Sequence, residues 1–208
     1  MARSAPPPMS DDALRGLLLR HGCRLPLHAV RTFFLGVIAS PGSAVSPIGA
    51  AEALFGGELP VFDSEKDANA LIGGLIVGLW NRLSEHQDRS KPFRLTRVDV
   101  PATHEGLARI ALIRREEIVS FREGLFGGNE SLDLPERAHQ ALGVLSQMRA
   151  MIEGTREVAE RTANSAESDD AKALLQQFRE LTRIAEHEMH EAVLACIRAR
   201  RQTRPAMH

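Results

Sequence analysis

Apolar residues recur every three or four positions in run after run of this chain, and caps, prolines and glycines punctuate the runs. Ser10 precedes Leu14, Leu17 and Leu18, and Gly22 is placed to end that helix in the left-handed conformation. Pro26 opens a second run of Leu27, Val30, Phe33, Phe34, Val37 and Ile38, which Ser40-Pro41-Gly42 stops. Ser46-Pro47 repeats the cap-then-proline signal for a short helix through Leu54 and Phe55, closed by Gly56-Gly57. Ser64, with Asp67 three residues on, caps a run in which Leu71, Ile72, Leu75, Ile76, Leu79 and Leu83 mark one face and Val77 and Trp80 widen it. A helix apolar over so much of its circumference belongs at the centre of a bundle. Gly73, Gly74 and Gly78 each cost about 1 kcal/mol against alanine inside a helix, so the pattern predicts a neighbouring helix that approaches closely there.

Thr103 caps a further helix carrying Leu107, Ile110, Ala111, Ile118, Phe121, Leu125 and Phe126, ended by Gly127-Gly128-Asn129. Two long helices follow, from about Pro135 to Asn164 and from about Ser168 to Arg201. Each has a narrow apolar stripe, as in a helical hairpin that packs on itself or on a partner. Only Phe93 to Val100 shows partial alternation, an extended stretch too isolated to make a sheet. The expected fold is all-α: a lead-in over residues 1–9 with three successive prolines, a multihelical core over 10–128, and a long C-terminal helical hairpin over 135–202. Val30 to Gly36 and Val119 to Leu125 echo one another, each placing an aromatic residue and a glycine near the end of a buried helix.

Composition narrows the function classes. With 26 basic against 27 acidic residues the net charge is -1, so the chain as a whole lacks the basic excess that grips nucleic acid, and nucleic acid is not the expected partner. Two cysteines, Cys23 and Cys196, exclude a disulfide framework and a four-thiolate zinc site. No apolar run is long enough to span a bilayer, and the proline-rich start has no secretory pattern, so a soluble cytoplasmic protein is expected, with no membrane partner.

The strongest candidate for chemistry is Glu186-His187-Glu188-Met189-His190-Glu191, where His187, His190 and Glu191 lie within one helical turn and, with His139, form a candidate metal set. Helical geometry sets His187 and His190 across from the apolar stripe, so the competing reading is a solvated polar face. Phosphate-loop, serine-hydrolase and zinc-protease motifs are all missing. Cys23, beside Arg20, His21 and Arg24, has a setting that lowers a thiol pKa, although a lone cysteine in a helix-terminal loop reads as structural. Arg198, Arg200, Arg201 and Arg204 form a candidate contact for RNA or an acidic protein, or else complement the dipole of the last helix.

From Val30 to about Phe93 the chain resembles the YecA/YgfB-like family of bacterial proteins, also called UPF0149. The matching positions include Phe34-Leu-Gly36, Ser40-Pro41, Pro47, Gly56-Gly57 and Asn81, over about a third of the chain. The resemblance implies an all-helical fold with no established enzymatic activity, and it carries over no catalytic residues. The cysteine-rich metal-binding tail of some members is absent from this chain, and the zinc function tied to it does not carry over. The leading expectation is a non-enzymatic interaction or regulatory protein with an unidentified protein partner and no cofactor. Alternatives are a metal-dependent enzyme using the helix-borne histidines and an RNA- or ribosome-associated factor using the terminal arginines. The hairpin flanks Leu175, Ile184, Val193 and Ile197 are expected to be covered, either by the core or by a second copy in a homodimer.

Overall fold

The computed structural model describes residues 9–42, 45–161 and 169–203. Residues 1–8 of the expected 1–9 lead-in, the hairpin turn between Asn164 and Ser168, and Arg204 lie outside them. In chain order the helices are α1 (Asp11–Arg20), α2 (Leu27–Ala39), α3 (Pro47–Ala53) and α4 (Glu65–Ile72). A π-helical segment (Gly73–Trp80) leads from α4 into α5 (Asn81–Ser84), then come α6 (His104–Phe126), α7 (Glu136–Arg161) and α8 (Asp169–Thr203). No strand occurs among the described residues, and the all-α expectation holds.

The caps work as the sequence predicts. Ser10, Ser46, Ser64 and Thr103 each accept from the backbone N–H three residues on, at 3.0–3.2 Å. Gly22 and Gly127 end α1 and α6 at φ of +73° and +56°. Pro26 stands one position earlier than expected, as the residue before α2 rather than in its first turn.

The glycines of the π segment behave differently from expectation. Nothing lies within 4 Å of the place a Cβ would take on Gly73, and Gly74 meets only the Met9 and Leu14 side chains. The neighbour is α1, which reaches the Cβ position of Gly74 through the Leu14 side chain at 3.1 Å rather than backbone to backbone. The segment instead winds more loosely than an α-helix, with Leu71, Leu75, Leu79 and Leu83 all buried at a strict spacing of four. Val77 is left 71% exposed on its outer side.

The close approach lies between the two echoed segments. The most extensive helix pair is α2 with α6, which run in the same direction with His28 opposite Glu116 and Gly36 beside Gly124. A Cβ on Gly36 would stand 2.2 Å from the Phe121 carbonyl oxygen, and one on Gly124 would stand 2.0 Å from that of Phe33. Each glycine thus covers the carbonyl three residues before the other, and Phe33-Phe-Leu-Gly36 and Phe121-Arg-Glu-Gly124 are related by an approximate two-fold. Phe34 and Phe121 are fully buried beside the crossing, and Phe34 meets Trp80 edge-on at 5.4 Å.

The C-terminal hairpin docks on this core. α7 packs along α6, α8 reaches α2 and α6, and one apolar cluster runs from Leu14 to Ile197. Leu175, Val193 and Ile197 are buried, as expected of covered flanks. Ile184 is not: it remains 45% exposed, because Thr182 and Glu186, each 200° around α8 from it, are the positions that face inward.

The crossing generates a contrast between glycines. Alanine gains about 1 kcal/mol over glycine in a helix, whereas overpacking against backbone that cannot rotate away costs about 1–3 kcal/mol or more. Gly36→Ala and Gly124→Ala are therefore expected to lower the urea midpoint clearly. Gly74→Ala, which meets flexible Met9 Sδ at 2.9 Å, should leave it nearly unchanged. Equal midpoints for all three variants would contradict the crossing.

Candidate functional site

Two features stand out above the helical framework: a clamped extended segment and an open groove. The segment is Phe93 to Val100, where Phe93 and Leu95 point into the core while Arg94, Arg97 and Asp99 are exposed. With no neighbouring strand, its backbone is paired by side chains. Glu186 accepts from Leu95 N at 3.0 Å, Glu117 accepts from Thr96 N at 3.0 Å, and Arg114 donates to Thr96 O at 2.8 Å. Arg31 donates to Arg94 O at 3.3 Å and to Thr96 Oγ1 at 3.0 Å. Arg114 also pairs with Glu117 and donates to Thr182 Oγ1 at 3.0 Å. Arg114 and Glu117 are buried, and losing one partner of such a pair costs about 3–5 kcal/mol because the other charge is stranded. The charges midway along α6 are thus a clamp that ties α2, α6 and α8 together through the segment.

The candidate metal residues are not gathered. His187 is exposed, His139 lies on α7 along the groove described below, and Glu191 is 3.6 Å from Arg137. His190 does not sit on a solvated face. It is buried under residues 85–91, and its Nε2–H donates to His86 O at 3.0 Å. His86 in turn bonds Lys91 O at 2.9 Å and meets Phe93 edge-on. The residues folded over α8 by the clamp convert that face into an interior. Among the described residues, no group of three or more His, Cys, Asp or Glu side chains is arranged to hold a metal ion.

Cys23 does not have the lowered pKa that its basic neighbours suggest. Burial pushes its thiol up, and burial pushes Cys196 up to about 11. Of the terminal arginines, Arg200 donates to Ser40 O at 3.4 Å, so its charge caps α2 rather than only its own helix. Arg198 and Arg201 lie on a smaller cleft with Arg89 and Lys91, where Lys91 is already paired with Glu85 at 2.7 Å. The family-motif positions are structural. Gly36 makes the crossing, and Pro47 starts α3 behind its Ser46 cap. Gly56 and Gly57 turn the chain at φ of +93° and +111°, while Asn81 is exposed.

The groove lies where α2, α3, α6 and α7 meet, encloses about 1320 Å³, and is open along one side. Phe33, Val37, Ile118, Phe126, Leu142 and Leu145 form an apolar floor. Arg122, Glu123, Glu130, His139, Ser146 and Arg149 form its polar edges. Arg122 stacks over the Phe126 ring at 5.4 Å. The left-handed Gly127-Gly128 turn swings the chain off α6 and opens the end of the groove. No signal in the linear pattern marks it, since its walls come from four separated segments.

No family model, curated protein or solved structure matches the chain. No helix among the described residues is long and apolar enough to cross a membrane.

Burial lowers the pKa of His190, so the unfolded chain takes up this proton more readily than the folded one. Stability from neutral His190 is complete above the ordinary value of 6.5 and is lost as pH falls through it toward the folded pKa. Replacing His190 with Gln, which keeps a donor for His86 O, is expected to flatten the fall in urea midpoint between pH 8 and pH 5. An unchanged pH profile would show that His190 does not contribute to it.

Proposed function

We propose that this chain is a non-enzymatic interaction protein of the cytoplasm, working by surface contact, and that the groove between α2, α3, α6 and α7 is where it binds. The observation that carries the reading is the groove's make-up: an apolar floor with polar edges, larger than the 300–1,000 Å³ typical of small-molecule pockets and open along its length. Such a surface suits a segment of another protein. Kinship with the YecA/YgfB-like family is part of the same proposal, as is a homodimer through the hairpin, where Met151, Val158 and Ile184 remain exposed.

Affinity capture from a lysate of the source organism with wild-type protein and with Ser146→Trp tests the reading. Ser146 is exposed and lines the groove, so tryptophan there fills it without disturbing the core. A stoichiometric partner held by the wild type and lost with Ser146→Trp is the expected result. Equal recovery on both would contradict it.

A further inference from the structure

The groove carries a more specific message about what occupies it. The ion pair of Arg115 with Glu153 at 2.9 Å sets the antiparallel register of α6 and α7 and puts Arg115 on the α7 side of α6. The bond between His28 and Glu116 at 2.7 Å puts Glu116 on the α2 side. Seven residues is close to two helical turns, so Arg122 inherits the α7 side and Glu123 the α2 side. In the same register Arg149 lies near Val119 and Ser146 near Arg122, so the two arginines stand about one helical turn apart along the α7 side. Both arginines are exposed, and neither forms an ion pair among the described residues, although Arg149 acts at longer range on Glu153 one turn on; Arg115, Arg137 and Arg183 on the same helix system are all paired. Arg122 instead holds its guanidinium over the Phe126 ring, at the edge of the apolar floor.

The α6 wall from Ile118 to Phe126 spans about 12 Å, a little over two helical turns. Docking of an extended peptide by strand addition needs an open strand edge, and the described residues contain no strand. A groove between helices with a broad apolar floor instead receives the apolar stripe of another helix. Resting on the reading of the groove as the binding surface, we infer that its occupant is an amphipathic helix of another protein, with acidic residues along one edge of its apolar stripe. The stripe covers Phe33, Val37 and Leu142, and the carboxylates pair with Arg122 of α6 and Arg149 of α7, both on the α7 side of the groove. Glu123 on the opposite wall disfavours an acidic row on that side and so fixes which way the helix is rolled.

The test is selection of helix-forming peptides from a displayed random library on the full-length chain, followed by affinity measurement of the enriched peptides by fluorescence anisotropy. The expected consensus has apolar residues at three- and four-residue spacing with Asp or Glu beside them. The double variant Arg122→Glu, Arg149→Glu should weaken a selected peptide roughly tenfold or more, and exchanging the peptide's acids for lysine should restore the loss. Circular dichroism and the urea midpoint show whether the exposed charge reversals leave the fold intact. Peptides blocked by Ser146→Trp but indifferent to charge reversal would overturn the acidic-helix inference while leaving the groove as the binding surface. Peptides indifferent to Ser146→Trp as well, or no enriched consensus, would overturn both. Self-association by light scattering that Ser146→Trp abolishes would make the occupant a second copy, and it too would overturn the inference.

Discussion

Gly36 and Gly124 set the distance between α2 and α6, and most of the molecule is arranged around that distance. With a side chain at either position the backbones would have to separate, because each missing Cβ is replaced by a carbonyl of the opposite helix. Close approach brings Phe33, Phe34 and Phe121 into one layer and leaves room on the outer side of α6 for α7. The approximate two-fold also explains why one pair of helices dominates: the same four-residue Phe-x-x-Gly unit supplies the small residue and the carbonyl on both sides. Stability won this way is packing rather than hydrogen bonding, and packing energy falls steeply with separation.

The buried charges complete what the crossing begins. An extended segment packs where α2, α6 and α8 converge. Extended backbone buried without a sheet would strand its amide and carbonyl groups. Arg31, Arg114, Glu117 and Glu186 satisfy those of residues 94–96 from three helices. Ion pairs of this kind are costly to desolvate and contribute specificity more than stability. Here they fix the register of residues 93–100, and that register closes the chain over His190.

Local grammar was legible in the residues: Ser10, Ser46, Ser64 and Thr103 act as caps, and Gly22 and Gly127 as stops, because capping depends on a few adjacent atoms. Long-range facts were not. Glycine density points to Gly73 to Gly78, yet the backbone-to-backbone approach between helices lies at Gly36 and Gly124, in the two echoed segments, where a short repeat is the visible sign. The spacing of four across Leu71, Leu75, Leu79 and Leu83 already departs from 3.6 and marks the looser winding of the π segment. His190 read as solvated because a helical wheel knows nothing of a loop 100 residues earlier. The groove follows the same rule, with Arg122 and Arg149 brought to one surface only once α6 and α7 are paired.

Native-state hydrogen exchange of the full chain examines the central role of the crossing most directly. If the contact between Gly36 and Gly124 organises the fold, amides of residues 34–38 in α2 and 121–125 in α6 exchange only through global unfolding. Their opening free energies should match the global value and fall with denaturant at the global slope. Exchange of these amides through smaller openings, with the most protected amides in α7 and α8 instead, would contradict the account.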